Sequence, residues 1–153
     1  MTLLLAFLIG CFAGLRSLTA PAATAWAVHR GWLTLQGPLS LIGSVPSVII
    51  LTLLAVAELV VDKLPGTAKR TAAPGLIGRI VTGGLSGACV AVGRGYGVLP
   101  GAALGALGGV VGAFVGYEVR SRVVKGLGIR DVYVALVEDV VAIAGCLWIV
   151  SRY

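Results

Sequence analysis

The sequence predicts an all-α fold: a polytopic membrane helical bundle with about five transmembrane helices. Three observations carry this. Of 153 residues, 58% are hydrophobic and only 12% are charged, about half the charged share of an ordinary soluble domain. The mean hydropathy is +1.03. Apolar stretches long enough to cross a bilayer alternate with short connections that hold most of the charge. A soluble domain of this size leaves too much surface wet to hide so much apolar side chain. A single integral-membrane domain over residues 1–153 is expected, with the lipid bilayer as its surroundings.

The totals also exclude partners. The net charge of +6 comes from basic residues in the connections, where topology explains them better than nucleic acid does. No basic patch with interleaved aromatics is present, so no nucleic-acid partner is expected. Cys11, Cys89 and Cys146 lie singly within apolar segments. That spacing makes neither a disulfide framework nor a zinc site, so no metal and no cofactor are expected. No nucleophile–base pair stands out, and enzymatic activity is not expected.

Residues 2–15 (TLLLAFLIGCFAGL) look like a signal-peptide core, but no charged region precedes them and no clear cleavage site follows. The chain continues through Arg16, Ser17, Thr19 and Pro21 into a second small-residue stretch reaching Val28. One helix over 2–28 would be about 40 Å long, beyond the ~30 Å hydrocarbon core. The first transmembrane helix is therefore expected to be broken or partly re-entrant near Arg16–Pro21. Residues 29–46 form a Gly- and Pro-rich connection flanked by Trp26 and Trp32, which suit a membrane interface. His29, the single histidine, reads as a solvated residue at a helix end.

Span two, 47–64, carries Glu58 and Asp62, four residues apart and so on one helix face. A basic, proline-bounded loop follows with Lys63, Lys69 and Arg70. Span three, 75–93, places Arg79 on a stripe with Gly83 and Gly87, facing a neighbouring helix. Span four, 101–117, repeats glycine at steps of four: Gly101, Gly105 and Gly109 on one stripe, Gly108, Gly112 and Gly116 on an adjoining one. Such a glycine zipper serves tight helix packing, within the chain or in a homo-oligomer. A second basic loop, 118–131, holds Arg120, Arg122, Lys125 and Arg130. Span five, 132–150, carries Glu138 and Asp139.

With five crossings, both basic loops fall on the same side as the N-terminus, and the positive-inside rule places that side in the cytoplasm. Glu58, Asp62, Arg79, Glu138 and Asp139 then sit at neighbouring depths. A charge at the bilayer centre costs on the order of 3 kcal/mol, so pairing or hydration is expected. The surplus negative charge requires protons, a cation, Arg16, a loop lysine or water. Alternatively, Arg79 pairs with Glu58 or Glu138 only to lock the bundle.

The runs GLRSLTAPAA (14–23), AELVVDKLPGTAKRT (57–71), GRIVTGGLSGA (78–88) and LVEDVVAIAG (136–145) resemble those of the DUF4126-like proteins, small multi-spanning bacterial membrane proteins of unknown function. The sequence departs from that pattern at Ala68, where a proline would be expected after Thr67. The resemblance implies a one-domain protein of the bacterial inner membrane and supplies no activity. Its polar motifs match Arg16, Glu58, Asp62, Arg70, Arg79, Glu138 and Asp139.

Three functions compete. The leading expectation is a small transporter or channel-like protein, assembled as a homo-oligomer, whose acidic cluster binds a cation or relays protons. The second is a structural or scaffolding protein assembled through the glycine-zipper helices. The third is handling of a lipid or lipid-carrier phosphate by Arg16 and the cytoplasmic arginines.

Overall fold

The structure is a computed structural model that describes residues 1–63, 73–128 and 130–153. Lys69, Arg70, Thr67 and Ala68 of the first basic loop lie outside the described residues. Seven helices and no strand occur among the described residues: α1 Thr2–Leu15, α2 Thr19–His29, a 3-10 turn Gly37–Gly43, α3 Val45–Val61, α4 Ala73–Val92, α5 Val98–Leu127 and α6 Asp131–Val150. Three of them, α4, α5 and α6, are long and apolar enough to cross a membrane. The 3-10 turn and α3, bent by 60° at Ser44, make a fourth candidate as a pair.

The break near Arg16–Pro21 is present. α1 stops where Arg16 turns extended, with φ −138° and ψ 108°. α2 begins three residues later, and Pro21 falls in its first turn, where a missing N–H costs nothing because that donor has no intrahelical partner. The chain then reverses. α1 runs alongside α5 in the same direction, with Phe7 and Cys11 against Gly108 and Gly112. α2 runs back along α3: Ser17 meets Glu58, Trp26 bonds Thr52, and Val28 packs on Gly43. α1 and α2 thus form a hairpin, of about 21 and 16 Å by their 14 and 11 residues. Both helices are shorter than a ~30 Å hydrocarbon core. The expected count of five spans rested on one crossing by 2–28. The reversal removes that basis, and with it the basis for placing Met1 beside the basic loops. Since α1 and α5 run in parallel, Met1 lies at the end opposite Arg120 and Arg122.

α5 is also longer than expected. Residues 118–127, read as a loop for their charge, continue the helix to Leu127. Glu118 and Arg122 pair at i,i+4 on its exposed side at 2.7 Å, no proline intervenes, and the helix ends at Gly128 with φ +61°.

The core of the bundle is the close approach of α1, α4 and α5. Lipid offers no hydrophobic drive between helices, so contact depends on how near backbones can come. Gly101, Gly105 and Gly109 face Gly87, Gly83 and Arg79 of α4, while Gly108 and Gly112 face α1. Gly116 is buried further along. At the opposite end, the Tyr153 hydroxyl donates to the Val90 carbonyl at 2.7 Å, and Arg94 lies over its ring. Cys11, Cys89 and Cys146 are free thiols, the last two fully buried among apolar neighbours.

Candidate functional site: the charged hairpin tip

The α1–α2 reversal exposes two helix ends inside the bundle, and each end meets a charge of suitable sign. α1 ends in carbonyls without intrahelical partners, and α2 starts with N–H groups in the same position. Arg79 of α4, only 5% exposed, donates through Nε to the Gly14 carbonyl at 2.9 Å, and through Nη1 to Gly75 at 2.9 Å. Glu58 of α3 sits at the start of α2. Its carboxylate accepts from the Ser17 N–H at 2.8 Å, the Ser17 hydroxyl at 2.6 Å and the Leu18 N–H at 2.8 Å. Leu18 offers no capping side chain of its own, so Glu58 supplies the anion that a Ser or Asp would provide locally.

Between these ends lies Arg16, with no exposed surface. Its Nε donates to Asp139 Oδ1 of α6 at 2.5 Å, and its Nη1 pairs with Asp62 at the end of α3. The second Asp139 oxygen accepts from Lys63 Nζ at 2.6 Å, and Lys63 also donates to the Leu59 carbonyl at 2.8 Å. The sequence requires this convergence in part. Glu58 and Asp62 share a face of α3, so both reach the same tip. On α6 the buried face is Ala135, Asp139, Ala142, Cys146 and Ile149, at alternating steps of four and three.

Of the residues singled out from the sequence, Arg16, Glu58, Asp62 and Asp139 meet at the tip, and Arg79 holds the adjoining helix end. Glu138 does not join them. Glu138 is expected at the same depth as the other acids, but adjacent helical residues point about 100° apart, and it is Asp139 that shares the buried face with Ala135 and Ala142. Glu138 instead faces Arg120 of α5 at 3.5 Å, and Arg120 also binds both oxygens of Asp131. Sequence reasoning missed Arg120, Asp131 and Ser17. Asp131 and Glu138 are seven apart, hence on one face of α6, and that spacing was the available signal.

Among the described residues, Arg16, Lys63 and Arg79 stand at the tip with Glu58, Asp62 and Asp139. No group of three His, Cys, Asp or Glu side chains able to hold a metal occurs among the described residues. Removing Glu58 tests the cap. Glu58→Ala strands three donors and is expected to cost about 2–3 kcal/mol in detergent denaturation, with Glu58→Gln costing about 1. Wild-type stability in Glu58→Ala would show that the cap contributes nothing.

The fold and the tip together define a helical protein of membrane type, with a broken hairpin inside its bundle and buried charges at the break. The chain belongs to the family described as Domain of unknown function (DUF4126), whose model matches residues 3–151. No curated protein and no solved structure matches it.

Proposed function

We propose that this chain is a small transport protein of the bacterial inner membrane in which the hairpin tip relays protons. One observation carries the reading: charged groups from three separate parts of the chain converge on a helix break inside an apolar bundle. Buried ion pairs are weak sources of stability, and ionisable groups at membrane depth mark pathways more often than cohesion. Exposure is graded along the cluster, from Lys63 at 26% through Asp62 at 15% and Asp139 at 8% to Arg16 at 0%. Protonating Asp139 would release Lys63 and loosen Arg16, which is the partner exchange a relay needs. The carboxylates already hold cations of the chain itself, so protons suit the site better than a metal ion. Because Arg16 is enclosed by two carboxylates, a lipid phosphate on that residue is disfavoured.

In this reading α1–α2 is a re-entrant hairpin and the chain crosses four times, through α3, α4, α5 and α6. The basic end of α5 faces the cytoplasm, and Met1 and Tyr153 both face outward. Thiol labelling of intact cells tests the orientation. A cysteine added ahead of Met1, which is exposed, and one at the exposed Thr34 should react with the same impermeant reagent from outside; protection of either would overturn the arrangement. Flux tests the relay. In liposomes with an internal pH dye, wild type should conduct protons, Asp139→Asn should lose at least tenfold, and Glu138→Gln should retain flux. Equal flux in wild type and Asp139→Asn would remove the proposal.

A structural reading is favoured by the ion pairs that join Arg16 to Asp62 and Asp139. If the tip is only a clasp, Asp139→Asn destabilises the protein and wild type shows no flux to lose.

A further inference from the structure

A groove of about 510 Å³ runs between α5 and α6, beside the hairpin tip but lined by other residues. Phe12 and Leu15 of α1 reach it from behind, and valines make its sides: Val115 and Val119 from α5, Val137 and Val141 from α6. Its size falls within the range of real ligand sites. Gly112 and Gly116 put no side chain into it, which leaves the space open. At one end the guanidinium of Arg120 reaches across to Asp131 and Glu138, tying α5 to α6 and closing the groove there.

Length and charge identify the occupant. From Val111 to Val123 the lined stretch of α5 is roughly 18 Å, close to the ~15 Å of hydrocarbon in one leaflet. The polar end is the basic end of the bundle, where Arg120, Arg122, Lys125 and Arg130 stand against Glu118, Asp131 and Glu138. Arg122, Lys125 and Arg130 are exposed there, and the surplus is positive. Tyr133 lines the same end, at a depth where an amphipathic ring suits the headgroup boundary. We infer that this groove holds one acyl chain of an anionic phospholipid from the leaflet at the basic end, with its headgroup phosphate beside Arg130, which lies on the groove side of α6 one turn before Tyr133 and Val134.

Native mass spectrometry of the protein in detergent, titrated with equal amounts of phosphatidylglycerol and phosphatidylcholine, tests this. Wild type should retain one phosphatidylglycerol in preference. Val115→Trp and, separately, Val137→Trp should fill the groove and cut retention at least tenfold. Arg130→Gln, at an exposed site where folding is not at stake, should bring the two lipids to parity, while Lys125→Gln, on the opposite face of α5, should not. Wild-type parity with no effect of either tryptophan would mean ordinary annular lipid, and would overturn the inference. A wild-type dimer that Val115→Trp dissociates would also overturn it, by seating a second copy in the groove. Proton flux should be unchanged in Val115→Trp, which keeps this inference separate from the relay.

Discussion

Replacing Arg16 with methionine is expected to destabilise the protein by about 3–5 kcal/mol. The substitution removes a guanidinium that has no exposed surface and leaves Asp62 and Asp139 facing each other without it. Breaking a buried ion pair from one side strands an uncompensated charge, and that penalty exceeds what the intact pair contributes. Lys63 still reaches Asp139, so the loss measures what the Arg16 guanidinium itself adds. Arg16→Lys should recover only part of the loss, because one ammonium cannot satisfy two carboxylates with the planar geometry of arginine. Reversible denaturation in mixed micelles gives the number. A loss under 1 kcal/mol would mean that the tip is hydrated and that the pairs add little.

The second large effect concerns Gly105. Its missing Cβ is what lets α4 approach: a side chain there would overlap the Gly83 carbonyl and press on the Gly87 Cα, and on the α1 side Gly10 already lies against the Gly105 carbonyl. All of these obstacles are backbone, so no side-chain rotation relieves them. Gly105→Leu is expected to cost about 3 kcal/mol or more and to reduce the yield of folded protein. Gly78 of α4 supplies the contrast. A Cβ at that position meets nothing within 4 Å, so Gly78→Ala should stabilise by roughly 0.5–1 kcal/mol through helix propensity alone. Similar melting temperatures for the two variants would show that backbone approach does not hold α1, α4 and α5 together.

Much of this was legible before the structure. Apolar length located α3 to α6 within a few residues, except at the end of α5. The Arg16–Pro21 break announced itself through a polar run inside an apolar segment too long for one crossing. What could not be read was the direction taken after the break. Residues 16–18 would look the same in a kinked span and in a hairpin, and the choice is made by distant partners: Glu58 holding the start of α2 and Asp139 holding Arg16. The division of Glu138 from Asp139 was available from helical geometry, since neighbours in sequence face different partners. The helical course of 118–127 is obscured by its charge, which suggests a loop, although Glu118 and Arg122 have helix-stabilising spacing.

The pairing at the tip is tested most directly by a double-mutant cycle between Arg16 and Asp139, using Arg16→Met and Asp139→Leu singly and together. A coupling of about 2 kcal/mol is expected for this pair, and none for a matching cycle between Arg16 and Glu138. Additive losses for Arg16 and Asp139, or equal coupling to Glu138, would contradict it.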